Sequence, residues 1–245
     1  MKFFRKFAPA FISVAFASAL YAQEEVEFVN AFKGEWFAFD PVYASSGNIC
    51  SLTLDDGGRG NGTYGIEASG CGAPIRDLAG WRIQEGQILL LGKDGSVVAT
   101  LGGSQRRITG VIVGAPRDAI IIERGAGDGN SARLNQAVSR HGCVFRGFTD
   151  QCISGDNLVG PNFTDDGERV IEMIVNLNIR AQPRHDAPVI GTIPRSTKIT
   201  VDECLLASDG VWCAARFGEA IGWLARTGLR RNEWPVATFV PADSS

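Results

Sequence analysis

Six cysteines, spaced as three close couples in a chain of 245 residues, constrain this fold more than any other feature. They are Cys50 and Cys71, Cys143 and Cys152, and Cys204 and Cys213. Cysteines in that number read as cross-links only in an oxidising compartment. The N-terminus points to one. Lys2, Arg5 and Lys6 form a positive start, Phe7 to Leu20 is mostly apolar, and Leu20-Tyr21-Ala22 resembles a small-residue cleavage pattern. Residues 1–22 therefore read as a secretory signal peptide, with Gln23 as the first exported residue and cleavage after Ala19 as the alternative. The apolar run is short for a membrane anchor and contains Pro9. No cysteine follows the cleavage point to carry a lipid, and no later stretch is apolar enough to span a bilayer. The expected location is periplasmic or secreted, with no membrane span after cleavage.

Pairing each cysteine with its nearest neighbour closes three short loops, and this is the pairing expected. A zinc site is disfavoured, because there is no Cys-x-x-Cys pair and His141 and His185 stand alone. Closing the 50–71 loop should stabilise the fold by about 3 kcal/mol. Loss of Lys2, Arg5 and Lys6 takes the formal net charge from −3 to −6. An acidic chain without a basic run is a poor nucleic-acid binder.

Short apolar runs separated by turn signals predict an all-β protein. In the first part the expected strands are Glu35–Phe39, Ile49–Leu54, Thr63–Glu67, Gly80–Gln84, Gln87–Leu91, Val97–Leu101, Arg107–Ile112 and Ala119–Arg124. Asp94-Gly95 and the glycine-rich stretch at 55–62 are turns. The latter lacks the lysine and helix of a phosphate loop. Eight strands can close into a small antiparallel barrel filled by its own side chains, with Trp36 and Trp81 as anchors. Phe28, Val29 and Phe32 share one face of a short helix that Gly34 would end. The last part reads as five strands: Val170–Ile179, Val189–Thr192, Lys198–Cys204, Val211–Arg216 and Ala220–Ala225. Asp209-Gly210 supplies a hairpin turn. The division is a signal peptide at 1–22, a barrel at 23–126, a connector with a local disulfide loop at 127–169, and a small second barrel at 170–233.

No catalytic constellation is visible. There is no Gly-x-Ser-x-Gly elbow and no His-Glu-x-x-His. Asp55-Asp56 and Asp165-Asp166 fall in turn-rich stretches, and His141 and His185 read as solvated surface groups. With the thiols consumed by pairing, no thiol nucleophile is expected, and neither a cofactor nor a metal is called for. The expectation is a binding protein, not an enzyme.

Two resemblances sharpen this. Gly34-Glu35-Trp36, "CSLTL" from Cys50, Ser69-Gly70-Cys71, Trp81-Arg82, "GQILLL" at 86–91, Asp94-Gly95-Ser96, Gly110 and "IIIER" at 120–124 occur in order. Over residues 28–125 this set resembles the bacterial alkaline metalloprotease inhibitor family (Inh) and its outer-membrane lipoprotein relatives. The resemblance implies an eight-stranded barrel closed by one disulfide. In the members that inhibit, it also implies an N-terminal arm that threads into the protease cleft toward the catalytic zinc. Carried onto this chain, the arm is Gln23, Glu24, Glu25 and Val26. Its glutamates depart from the small polar start of the inhibitors. Further on, "LNIRAQPRHDAPVIGTIP" at 177–194 and "VWCAARFGEAIGWLARTGL" at 211–229 resemble bacterial SH3-like domains. That resemblance implies an adaptor for cell-wall peptides or proline-rich segments. Asn178, Arg180, Trp212 and Trp223 are its candidate ligand positions, with a core role for the two tryptophans and a structural role for Arg180 as the other reading. The leading expectation is an exported inhibitor or binder of a protease, a zinc metalloprotease first. The alternatives are an envelope-binding or scaffold module that holds peptidoglycan, and a regulatory subunit of a cell-wall hydrolase.

Overall fold

The computed structural model describes residues 25–45, 49–114, 119–125, 127, 129–153 and 169–242. The expected leader at 1–22 and the arm residues Gln23 and Glu24 lie outside them. Helix α1 (25–32) precedes eight strands. They are β1 (Gly34–Ala38), β2 (Cys50–Gly58), β3 (Thr63–Ser69), β4 (Leu78–Gln84), β5 (Gln87–Gly92), β6 (Val97–Gly103), β7 (Arg107–Ile112) and β8 (Ala119–Glu123). Each pairs antiparallel with the next, and Phe37 of β1 opposite Glu123 of β8 closes the barrel.

The two-residue period of a strand decides which side chains fill it. Trp36 and Ala38, Leu52 and Leu54, Ile108 and Ile112, and Ile120 and Ile122 all point inward and are buried. Trp81, Leu90 and Leu101 complete the filling, so the barrel is a packed core and not a channel. Helix α1 adds Val29 and Phe32 to the same core. Phe32 stacks on Trp36, whose indole Nε1 donates to the Phe32 carbonyl at 2.7 Å. The helix ends at Gly34, whose φ of +101° an L-residue rarely adopts. Its last carbonyls need partners. Arg124 supplies them, donating to Ala31 O at 3.3 Å and Lys33 O at 2.8 Å while its guanidinium lies over the Trp36 ring.

The chain continues through α2 (Gly129–His141) and β9 (Phe145–Arg146) into a second β-rich body. Its strands are β10 (Val170–Met173), β11 (Leu177–Arg180), β12 (Val189–Ile193), β13 (Lys198–Thr200), β14 (Glu203–Ala207), β15 (Gly210–Phe217), β16 (Ala220–Ala225), β17 (Thr227–Arg230), β18 (Trp234–Ala237) and β19 (Phe239–Pro241). They form sheets in the orders β12-β11-β16-β15-β14, β13-β10-β19 and β17-β18-β9. Ile171, Met173, Ile179, Val201, Leu224 and Phe239 are the heart of its core.

Two expected strands are each split. The run 170–179 breaks between β10 and β11, and the run 198–204 breaks between β13 and β14. In both places the chain passes from one sheet to another. Strand β10 pairs with β13 and β19, whereas β11 pairs with β12 and β16. Strands β17 to β19 were not expected, and Pro235 argues against a strand there. It is tolerated because β9 begins to pair with β18 only at Val236, so Pro235 has a ladder on one side alone.

All six cysteines are bonded, as Cys50–Cys71, Cys143–Cys152 and Cys204–Cys213. Among the described residues no helix is long and apolar enough to cross a membrane.

Candidate functional site

Two regions gather polar side chains, and they differ in access to solvent. The first joins the two bodies. Arg107 and Glu123 face each other across β7 and β8, and both point out of the barrel. An outward ion pair on a barrel wall would normally be wet. Here the turn between β14 and β15 covers it, and Arg107, Glu123 and Asp209 are all buried. Arg107 reaches Glu123 Oε1 at 2.6 Å and Asp209 Oδ1 at 2.8 Å, so one guanidinium serves a carboxylate from each body. The Ser208 backbone N–H and hydroxyl both donate to Glu123 at 2.7 Å. The Trp212 indole donates to Asp209 Oδ1 at 3.0 Å, and His185 Nε2 lies 3.3 Å from Asp209 Oδ2.

Burial alone would raise the Asp209 carboxyl. Its contact with His185 and the charge of Arg107 overcome that and hold it at about 2, below its ordinary 3.8. Glu123 goes the other way: burial raises it, and Arg107 and Ser208 offset that only in part. Beside this network, Ile121 and Ala119 of β8 pack against Leu205, Ala207, Trp212, Ala214, Trp223 and Ala225. A second tether runs from the Leu206 N–H to Asp40 at 2.8 Å. This region holds the two bodies together.

The second region is open. The segment bracketed by Cys143 and Cys152 folds as a tight loop on the second body. Strand β9 lies parallel to β18, and the Gly147 N–H donates to Ala237 O at 3.1 Å. Within the loop, the Arg146 N–H donates to Gln151 O at 2.7 Å, and the Thr149 hydroxyl donates to Arg146 O at 2.7 Å. Phe148 stands at its tip, 57% exposed. Three hollows meet there. One of about 290 Å³ lies between Phe148, Arg230 and Trp234. One of about 260 Å³ runs past Asn178, Arg180 and His185. One of about 180 Å³ lies toward Arg146, Glu172 and Arg195. Arg146, Arg180, Arg195 and Arg230 line them against Asp150 and Glu172, so this face is basic on a net acidic chain.

The candidate ligand residues therefore separate. Asn178 and Arg180 line the same hollow. Arg180 also donates to Ala187 O at 2.8 Å and pairs with Trp223 across β11 and β16. Trp212 is buried between the two bodies, in the core role that the sequence left open. Trp223 is buried too, and its edge floors a separate apolar groove of about 250 Å³ with Thr109, Ala119 and Ile221. Of the arm residues, Glu25 and Val26 are the first turn of α1, and the Tyr64 hydroxyl donates to Glu25 at 3.0 Å. Neither histidine is a solvated surface group. His185 meets the edge of Trp212 and faces Asp209, and His141 lies 4.3 Å from Trp234 and 5.7 Å from Phe145 between ring centroids.

The comparisons agree with the second body. Residues 175–229 match the bacterial SH3 domain family. The match covers β11 to most of β17 and includes Asn178 and Arg180. No curated protein sequence matches the chain. Among solved structures, the NMR solution structure of lysostaphin aligns with 66% of this chain and 76% of that chain. The identity is 10% and the TM-score 0.25.

Proposed function

We propose that this protein is an exported, non-enzymatic binding module that attaches to cell-wall peptide through its second body, with the eight-stranded barrel as a rigidly docked partner domain. The division into a barrel at 23–126, a connector at 127–169 and an SH3-like unit at 170–233 is part of this reading. One observation carries it. Asn178 and Arg180, both within the residues that match the bacterial SH3 family, line an open, basic cleft, and the described residues hold no comparable gathering of accessible polar groups inside the barrel. The disulfides and the SH3 match fit a protein of the periplasm or the cell exterior. A cleft lined by an amide, guanidinium groups and aromatic edges binds peptide without needing a nucleophile or a base.

Co-sedimentation of the purified protein with intact peptidoglycan sacculi tests this. The protein is expected to pellet with sacculi, and Asn178→Ala, an exposed position, is expected to weaken retention several-fold. A protein that stays in the supernatant at every sacculus concentration contradicts the reading.

Inhibition of a protease, a zinc metalloprotease in particular, is the second reading. The closed eight-stranded barrel supports it. Helix α1 takes up half of the proposed arm, which leaves Gln23 and Glu24 as the residues that could still thread into a cleft. An inhibition panel run with and without residues 23–25 separates the two readings.

A further inference from the structure

Phe148, Arg230 and Trp234 all lie outside the residues that match the SH3 family, yet they border the same cleft. We propose that they form a second subsite, built by the Cys143–Cys152 loop, that selects peptide bearing free carboxylates. This deepens the cell-wall reading above and rests on it.

Three observations support the subsite. First, the loop is preorganised. A disulfide closes its base, a parallel bridge to β18 fixes its flank, and its own turn bonds hold the tip. Gly147 sits at φ +57°, and a Cβ there would come within 3.1 Å of the Ile174 carbonyl oxygen, so the loop is seated against the body beneath it. A loop fixed before binding loses little entropy when it binds.

Second, two large aromatic side chains stay in water although the folded body has core positions for others. Phe148 is 57% exposed and Trp234 is 41% exposed. Single exposed apolar residues are ordinary. Two that flank one hollow of about 290 Å³ are a contact surface waiting for a partner.

Third, the charge is placed for an anion. The Arg230 guanidinium lies 4.7 Å from the centre of the Phe148 ring and lines the hollow together with Asp150. A guanidinium edge presents two parallel N–H donors, the match for a carboxylate. The adjoining hollow adds Arg180.

The aromatic faces and the Asn178 amide favour a peptide over a phosphate polymer. A peptide offers amides and apolar side chains to these groups, whereas a glycerol phosphate polymer offers phosphates joined by short polar links. A hollow of this size next to one of about 260 Å³ has room for a peptide of a few residues.

The test is calorimetric titration of the full protein with three probes, run beside the sacculus assay. The probes are a cell-wall stem tetrapeptide with free carboxylates, the same peptide fully amidated, and a poly(glycerol phosphate). The free-carboxylate peptide is expected to bind at least tenfold tighter than the amidated one. Phe148→Ala is expected to lower its affinity five- to tenfold. Arg230→Gln is expected to abolish the discrimination, bringing the free-carboxylate and amidated peptides to within about twofold of each other. Both positions are exposed, and far-ultraviolet circular dichroism will show that the variants fold. Equal binding of the two peptides, or unchanged affinity in both variants, overturns the subsite even where sacculi are retained. Tighter binding of the phosphate polymer overturns it as well. Peptide binding with these signatures but without sacculus retention upholds the subsite and contradicts the cell-wall reading. Failure of both assays contradicts both.

Discussion

Arg107 shows how one side chain can decide the relation between two bodies. Its guanidinium is buried with two carboxylates, one of which arrives from a turn 102 residues away in sequence. A buried ion pair is a modest source of stability when intact, but removing one partner leaves a charge uncompensated. Asp209→Asn keeps the shape and removes the charge, and it is expected to cost about 3 kcal/mol in denaturant unfolding. The pH dependence follows from the directions of the shifts. Asp209 is depressed to about 2 from 3.8, so its contribution, on the order of 2 kcal/mol, is complete above 3.8 and is lost as pH falls through 2. Glu123 is raised, so its contribution has the opposite sign: it is present below 4.5 and is lost as pH rises through the raised value. Acidification to about pH 5 should therefore leave the network intact or slightly stronger, with loss setting in below 3.8. Asp209→Asn should flatten that acid limb in urea unfolding followed by tryptophan fluorescence. An acid limb identical to that of the unchanged protein would show that the network does not carry it. None of this was legible in the sequence. Asp209 read as a turn residue beside Gly210, which it is, and nothing local marks Arg107 or Glu123 as buried. Their partner belongs to the other body, and no periodicity reports contacts at that separation.

At the scale of elements, the sequence was most informative where local pattern and burial agree. The eight barrel strands stand where alternation and turn glycines place them, with ends shifted by up to four residues. The helix over Phe28, Val29 and Phe32 forms because those side chains complete the barrel core. Gly110 carries a second, non-local constraint. A Cβ there would run into the Thr100 carbonyl oxygen and sit 2.8 Å from Leu101 Cα, backbone on the paired strand β6. Gly110→Ala is therefore expected to destabilise by several kcal/mol or to prevent barrel closure, a loss larger than core overpacking usually causes. A melting temperature within about two degrees of the unchanged protein would contradict that contact. Strands β17 to β19 were hidden by Pro235 and by the arginine-rich turn before it; β17 and β19 are edges, and β18 pairs on both sides only because β9 lies beside it. The cleft was legible in part. Asn178 and Arg180 stand out through the SH3-like pattern, whereas Phe148 and Trp234 belong to no motif and become a site only when β9 lies beside β18.

For the whole molecule, the docking joins the two bodies through a buried ion network and an apolar contact. Ile121 packs among the second body's tryptophans, and Asp40 accepts from Leu206 at the other end of the contact. Unfolding of the full chain is expected to show a single transition by calorimetry, and Asp209→Asn to split it in two. Two well-separated transitions in the unchanged protein would mean that the bodies are independent. That contact matters to the function proposed, because it sets the barrel beside the cleft proposed to hold the wall. The most direct test of that function is an amide NMR titration of the full protein with a disaccharide tetrapeptide from peptidoglycan. The account expects the shifts to concentrate at Phe148, Asn178, Arg180 and Arg230. A spectrum that does not change, or one that changes only around Val26 and Tyr64 at the helix end of the barrel, would contradict it.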